Sequence, residues 1–578
     1  MRKKYKSLPT VLTGIAFFLG ALLRFIFLDR IPTAVGNDEL QYILSARTFF
    51  STGTDITRTI SVFSPFLFHY PAGINPQAEL PYLILTYGIG PLPFSLFNAR
   101  IVSALLSILT ILIAYLIAKR LFNHATAILT AFAFALNPWL IYIGRTGYEA
   151  TYAMFFYLLG ILVLLLVKRK KIILSLGIFL LGFYSYIATK LIFLPLIGIL
   201  SYYCYSSNKK DKKYYVSLSL IALLFVLGFG LLIQSNPHSR LDEILTPFSQ
   251  SINDSVNSAR LMTISTPLTS LFINKLTFYL YVLTSKLLNA FSPSYLFLTG
   301  DLFFSLFRQG LFYLVDSIFL FVGLIGLFQK KRREFYLLSS LSILSVVPQL
   351  LHVQEANFTP HLTLFIPFLL FIIAYGINEI LNLTTKKFHV PQKFSIGVVA
   401  LVYVLFVGNF CIIYFFQFPL QSFFDFPVRV MSRYVGFAQA SKRSILIISA
   451  HRNDIVPEML FYTNSPAKKI QTIIAQLSSS SPLTMGSLHI TDCGGFPEKL
   501  DTQTTYIVDS VCGIHTATSA AAFITHLNDG GEVFRIYQDQ LCSVYPLKRY
   551  ADHITLTQLN LDHLSLEEFC QTFIDSRN

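Results

Sequence analysis

The sequence predicts a mainly α, polytopic helical membrane protein with about 11 transmembrane helices and a C-terminal extracytoplasmic α/β domain. Three observations predict it. The 578 residues are 54% hydrophobic and only 13% charged, where a soluble globular chain carries about 25% charged residues. Apolar runs recur along the chain, several reaching the ~20 residues a helix needs to cross the hydrocarbon. Beyond residue 417 the runs stop, and β-rich segments alternate with polar or helical stretches.

The apolar runs lie at about 8–28, 100–118, 124–143, 150–167, 172–188, 191–206, 214–233, 311–329, 335–351, 361–380 and 394–416. The first is a span rather than a cleaved leader. Arg24 and Phe25-Ile26-Phe27 stand where a signal peptide would place a small-residue cleavage site. The net charge of +15 does not point to nucleic acid, because Lys and Arg fall in short clusters between apolar runs. Those clusters are Arg2 to Lys6, Lys119/Arg120, Lys168 to Lys171, Lys209 to Lys213, Lys330 to Arg333, and Lys386 to Lys393. Placed together on the cytoplasmic side, they follow the positive-inside bias.

That placement decides how residues 81–99 are read. Counting them as a span would throw later clusters onto the wrong side. They also contain Gly88, Gly90, Pro91 and Pro93, which break helices. They read as an interfacial or re-entrant piece. The expected organisation is a transmembrane domain over 1–416, with outer loops 29–99 and 234–310, and a soluble domain over 417–578. The N-terminus is then cytoplasmic and the C-terminus extracytoplasmic. The expected location is the plasma (inner) membrane.

The soluble domain carries four β-rich runs, at 445–448, 487–490, 505–508 and 533–537, which suggest a sheet. About 160 residues suffice for a core of their own. Its four cysteines, Cys493, Cys512, Cys542 and Cys570, permit disulfides if the domain is extracytoplasmic.

The candidate chemistry starts at Asp38 and Glu39, just after the first span. Gly36 and Asn37 form a turn, and the acids open a helix running to about Phe50. Acids are favoured in a first helical turn by the dipole alone, so Asp38 as a plain N-cap is the competing reading. A carboxylate beside low-dielectric lipid gains basicity, and so serves as a general base. Arg100, Arg145 and Lys190 fall at the outer ends of spans, against the charge bias. Charges at membrane depth usually line a cavity or pair with a partner, and a phosphate is a natural partner. Snorkelling to headgroups competes for each. Glu149 follows Arg145 at helical spacing, so pairing with it is at least as good a reading as substrate contact. His352, Glu355 and His361 flank one outer loop. They, with His69, His238 and Glu79, raise a divalent metal as a lesser possibility, at spacings that are not specific.

Taken together, these segments resemble the GT-C glycosyltransferases, in the protein O-mannosyltransferase and aminoarabinose-transferase branch. The resemblance runs through Asp38-Glu39, Tyr42 and Ala46, then Asn98-Ala99-Arg100, Asn137-Pro138-Trp139 with Gly144-Arg145, and Tyr184, Tyr186, Lys190 and Pro195-Leu196. It continues in Phe291-Ser292-Pro293, Phe297-Leu298, Gly300-Asp301 and Gly310-Leu311-Phe312-Tyr313. Three positions depart from the pattern. Gln77-Ala78-Glu79-Leu80-Pro81 stands where relatives often have Lys-Pro-Pro, Lys190 replaces a usual Arg, and His361 replaces another.

The resemblance implies a GT-C fold and inverting transfer of a sugar from a polyprenyl-phosphate donor to an acceptor hydroxyl at the outer face. It implies Asp38 as the catalytic base. Glu39, Tyr42, Arg100, Arg145, Glu149, Lys190, Asp301 and His361 are the implied substrate-binding residues. The partners are the lipid-linked donor, membrane lipid, and an acceptor that is protein, lipid or cell-wall glycan. No cofactor is required. A lipid or polysaccharide transporter is the alternative, but such proteins place broken helices near the midplane of related halves, and no halves repeat here.

Overall fold

The computed structural model describes residues 8–58, 78–167, 172–207, 209–234, 250–301, 306, 309–352, 358–421, 425–477, 482–514, 519–545 and 554–576. The basic N-terminus, His69, Gln77, the Lys168 to Lys171 cluster, His238 and Glu355 lie outside the described residues.

The chain begins with α1 (Leu8–Phe25). The segment expected to form the first outer loop, called the first outer segment below, carries α2 (Asn37–Thr52) and α3 (Glu79–Gly88). Next come α4 (Leu96–Leu121), α5 (His124–Leu136), α6 (Pro138–Gly144), α7 (Ala150–Leu166), α8 (Ile172–Phe183), the short α9 (Ile187–Lys190), α10 (Phe193–Ser207) and α11 (Lys212–Gln234). The segment expected to form the second outer loop holds helices Gln250–Leu261 and Lys275–Ala290. Helices Asp316–Lys330, Arg332–Leu344, Phe365–Lys387 and Gln392–Ile412 complete the bundle.

Each predicted run contains a helix. Five helices are long and apolar enough to cross a membrane alone: Leu96–Leu121, Lys212–Leu231, Arg332–Leu351, Phe365–Lys387 and Gln392–Leu420. A sixth is added if α5 and α6 count as one broken span. The helices in the other predicted runs are shorter. Residues 81–99 are not one span, because α3 ends before Gly90-Pro91 and α4 starts at Leu96. Arg100 therefore sits inside α4, not at its first residue as expected.

Local sequence explains the helix ends. Ser95 caps α4 by accepting from Asn98 N at 3.1 Å, and Asn123 caps α5 by accepting from Thr126 N at 2.8 Å. Lys119/Arg120, Lys330 and Lys386/Lys387 stand in last turns, where the dipole favours cations.

The break between α5 and α6 is a 57° bend. Pro138 has no N–H, so the carbonyl four residues back, on Phe134, loses its helical donor. Arg24 of α1 supplies it. Its Nη2 donates to Phe134 O at 3.1 Å and its Nη1 to Ala135 O at 3.0 Å, while Nε donates to Ser107 Oγ at 2.6 Å. Asn137 caps the new helix by accepting from Leu140 N at 2.9 Å.

Helix Phe365–Lys387 is the buried centre of the bundle. Helix Asp316–Lys330 lies on it through glycines. A Cβ on Gly376 would stand 1.9 Å from Phe319 O, and one on Gly323 would stand 2.2 Å from Ile372 O. Such small-residue contacts let backbones meet in lipid, where helix association rests on close packing.

The C-terminal unit is a seven-stranded mixed sheet. Its strands are β1 (Ser444–Ile448), β2 (Leu483–Met485), β3 (Leu488–Thr491), β4 (Thr504–Asp509), β5 (Ala522–Thr525), β6 (Glu532–Tyr537) and β7 (Ile574–Asp575), in the order β2-β3-β1-β4-β6-β5-β7. β1 pairs in parallel with β3 and β4, and every other pair is antiparallel. Disulfides join Cys493 to Cys512 and Cys542 to Cys570. Helices Asp425–Ala440, Arg452–Tyr462 and Ala467–Gln476 pack toward the first outer segment. One continuous core holds Ile43, Leu44, Leu85 and Tyr152 together with Met431, Ile445, Leu460 and Ile507.

Gly376→Leu is expected to lower stability by about 1–3 kcal/mol, because the clash is with backbone that cannot swing aside. Thermal unfolding of the detergent-solubilised protein reads this as a lowered midpoint, with a smaller loss for Gly397→Leu, where a Cβ meets nothing within 4 Å.

Candidate active site

The segment between α1 and α2 runs without regular structure, so its carbonyls need partners from elsewhere. Arginines supply them. Arg145 Nη2 donates to Ile31 O at 2.9 Å, Arg100 Nη1 to Pro32 O at 2.7 Å, Arg429 Nη1 to Thr33 O at 2.7 Å, and Arg100 Nη2 to Ala34 O at 2.6 Å. Four successive carbonyls are thus held by three side chains. Arg145 also donates from Nη1 to Leu23 O at 2.9 Å and from Nε to Tyr414 Oη at 3.0 Å. Arg100 and Arg145 are fully buried. In this arrangement both arginines position the loop that delivers the acids.

That loop feeds α2, whose N-cap residue is Gly36 and which makes no side-chain cap bond. Asp38 and Glu39 occupy its first turn. Asp38 is therefore not the N-cap. The two acids differ in access: Asp38 is half-buried and Glu39 is buried. Glu39 Oε1 accepts from Gly147 N at 2.9 Å and lies 3.4 Å from Arg100 Nε. Burial holds its carboxyl above the usual range, and the Arg100 guanidinium and the N–H groups of Gly147 and Gly36 limit the rise. Tyr42, one turn on, is buried against Tyr82 with ring centroids 4.8 Å apart, and its Oη accepts from Ala78 N at 2.6 Å. Burial pushes its phenol well up, and Glu149 and Asp38 both act on it electrostatically in the same direction.

Glu149 and Arg145 do not share a helix. Arg145 is the C-cap of α6 and Glu149 the N-cap of α7. Thr146 and Gly147 interrupt the helical spacing read from the sequence. At Gly147 a Cβ would meet Glu39 at 2.6 Å, so the glycine is what lets its N–H reach the carboxylate.

The first outer segment next meets α9. Lys190 Nζ stands 2.8 Å from Glu79 Oε1 and 3.1 Å from Oε2, both side chains 5% exposed. Leu80 N donates to Tyr184 O at 2.9 Å. The Lys190 ammonium also stands 5.4 Å from the Phe183 and Phe229 ring centroids and 5.7 Å from that of Tyr184, at cation–π range. The sequence offered Glu79 only as a remote metal candidate, and its role as the Lys190 partner depends on a contact across 111 residues.

Tyr186 links this group to His361, with ring centroids 5.9 Å apart. His361 lies in the turn Thr359–Leu362, 4.5 Å from the His352 ring. Lys286, buried on helix Lys275–Ala290, donates to His352 O. Nothing in the local sequence marks Lys286, because its surroundings come from elsewhere in the chain. Asp301 closes the set: its Oδ2 accepts from Thr359 N at 2.7 Å and from Thr359 Oγ1 at 2.8 Å. Among the described residues, no group of three or more His, Cys, Asp or Glu is placed to hold a metal ion.

Residues 83–230 match the family described as "Dolichyl-phosphate-mannose-protein mannosyltransferase", and that match supports membrane glycosyl transfer. With the motifs above, the chain resembles the protein O-mannosyltransferase and aminoarabinose-transferase-like members of the GT-C class. No curated protein matches the chain.

Among solved structures, ArnT from Cupriavidus metallidurans in the apo state is similar at 12% identity and TM-score 0.46, over 93% of this chain and 98% of that one. AglB from Archaeoglobus fulgidus, an archaeal oligosaccharyltransferase in complex with an inhibitory peptide and a dolichol-phosphate, is similar at 11% identity and TM-score 0.49, over 93% and 75%. The apo Archaeoglobus fulgidus oligosaccharyltransferase is similar at 13% identity and TM-score 0.48, over 79% of this chain, which spans 64% of that protein's length.

Breaking the Lys190–Glu79 pair should cost about 3–5 kcal/mol in either Lys190→Met or Glu79→Gln, because each leaves a buried group without its partner. The double variant Lys190→Met/Glu79→Met should recover part of the loss. A thermal double-mutant cycle measures the coupling.

Proposed function

We propose that this chain transfers a sugar from a polyprenyl-phosphate donor to an acceptor hydroxyl at the outer face of the plasma (inner) membrane, inverting the anomeric carbon. The observation that carries the reading is the contrast between the two acids. Glu39 is buried and bonded to Arg100 and Gly147, whereas Asp38, beside it in the first turn of α2, is only half-buried. Asp38 is the base. It takes the acceptor hydroxyl's proton as that oxygen attacks C1, and the bond from C1 to the phosphate oxygen breaks.

Negative charge then gathers on the departing lipid phosphate. Lys190, His361 and Lys286 belong to the linked set that reaches α2 through Glu79, Ala78 and Tyr42; the two lysines supply the cationic side, and His361 stands beside them. Fixed cations in a low-dielectric site stabilise such a leaving group by roughly 3–4 kcal/mol per good contact. Arg100 and Arg145 act through the loop they hold, and Asp301 through the Thr359 turn that carries His361. No cofactor enters this scheme. The outward orientation of the C-terminal unit is supported by its two disulfides, which persist in oxidising compartments. The acceptor is a protein, lipid or cell-wall glycan.

Incubating the purified protein with labelled polyprenyl-phosphate sugars and membrane extract tests the assignment. Asp38→Asn should cut transfer by about 10²–10⁴-fold, the usual worth of a general base, with the unfolding midpoint unchanged. Undiminished transfer would remove Asp38 from the mechanism. Movement of labelled lipid across a bilayer without sugar transfer would establish the transporter alternative instead.

A further inference from the structure

A cavity of about 200 Å³ lies between helices Asp425–Ala440 and Arg452–Tyr462 and the turn Leu561–His563. Its wall includes Arg429, Ser432, Arg433, Gly436, Tyr462 and Asp562. The first four fall at positions that share one face of a helix. Gly436 leaves room there: a Cβ at this position would meet nothing within 4 Å.

The charge of the wall is unbalanced. It has two guanidiniums and one carboxylate, and among the described residues neither arginine forms an ion pair. Arg429 is 3% exposed and gives one donor to Thr33 O. Arg433 Nη2 donates to Asp562 O at 3.2 Å and to Leu564 O at 3.3 Å, while its buried Nε–H has no hydrogen-bond partner among the described residues. Buried guanidinium donors are costly to leave unmatched, and their fork suits a carboxylate or phosphate.

The cavity also adjoins the catalytic loop. Arg429 holds Thr33 O, and Tyr462 Oη accepts from Val35 N at 3.3 Å. Asp38 is the third residue after Val35, so their Cα atoms are at most about 11 Å apart. By the measure of roughly 10–15 Å³ per ordered water, the cavity has room for a sugar ring.

We propose that this cavity is an acceptor subsite that takes a sugar bearing an oxyanion, a carboxylate or a phosphate. Arg429 and Arg433 face the anion and Tyr462 flanks the ring. A neighbouring unit of the acceptor is thereby held so that its hydroxyl extends toward Asp38. The proposal rests on the glycosyl-transfer reading above and adds the chemical class of the acceptor.

Binding to the purified full-length protein tests it, by saturation-transfer NMR and titration with glucuronate, glucose 6-phosphate, glucose and inorganic phosphate. Binding of either charged sugar ahead of both glucose and inorganic phosphate is expected, and the preferred one tells carboxylate from phosphate. Arg433→Gln should weaken that binding about tenfold, the worth of one charge-assisted hydrogen bond. Gly436→Phe should abolish it by filling the cavity. If Gly436→Phe unfolds the protein, the half-buried Arg433→Gln variant, checked by its unfolding midpoint, carries the test. Asp38→Asn should bind the charged sugars as the wild type does.

Equal binding of glucose, equal binding of inorganic phosphate, or binding unaffected by Arg433→Gln would each overturn the subsite. If the charged sugars fail to bind while labelled sugar is still transferred, the subsite is wrong and the transferase reading stands. If they bind and no polyprenyl-phosphate sugar is ever consumed, the transferase reading fails and the anionic-sugar cavity remains.

Discussion

Four consecutive carbonyls, from Ile31 to Ala34, each receive a guanidinium donor, and that arrangement fixes the segment leading into α2. The three arginines come from different parts of the chain. Arg100 is in α4, Arg145 ends α6, and Arg429 belongs to the C-terminal unit. Buried backbone without regular structure is tolerated only where other groups satisfy its donors and acceptors. Arginine is suited to this because one side chain presents several donors in a rigid plane. The loop becomes the point where the bundle, the first outer segment and the C-terminal unit are tied together, and Asp38 and Glu39 emerge directly from it.

The same logic operates deeper in the bundle. Pro138 breaks a helix and strands the carbonyls of Phe134 and Ala135, and Arg24 meets both. Arg24, Arg100 and Arg145 are among the most buried large side chains in the protein. Each is associated with irregular backbone. The irregularity at α5–α6 in turn places Arg145, and the interruption at Thr146-Gly147 brings Gly147 N to Glu39. The bend in one helix and the geometry of the acid pair are therefore parts of one hydrogen-bonded structure.

The C-terminal unit keeps one small cluster to itself, Ile448, Tyr506, Val508 and Tyr537, but its larger core is shared. Its core runs without a break into α2 and α3, and Gln471 Nε2 donates to Thr52 Oγ1 at 2.9 Å and to Asp55 O at 2.9 Å. Asn560 reaches Asp29 at 3.2 Å. Through that shared core the C-terminal unit packs on the helix that carries the acids.

Hydrophobic period, charge bias and helix breakers are local properties of the chain, and the coarse architecture was legible from them alone. The apolar runs became helices, Gly90-Pro91 separated α3 from α4, and the four β-rich runs became β1, β3, β4 and β6. The tail cysteines pair as disulfides, as an oxidising location would permit. The short strands β2, β5 and β7 left no clear signal, because two to four residues carry too little pattern. At the site, residue types were legible but their partners were not. Arg100 and Arg145 stood out as cations, but the backbone carbonyls they bond could not be foreseen, because such acceptors have no residue code. Glu79 and Lys190 lie 111 residues apart, and Lys286 meets His352 across 66. Such pairings are settled only in three dimensions, because desolvation and partner choice depend on which segments meet, and that is decided by packing the whole chain.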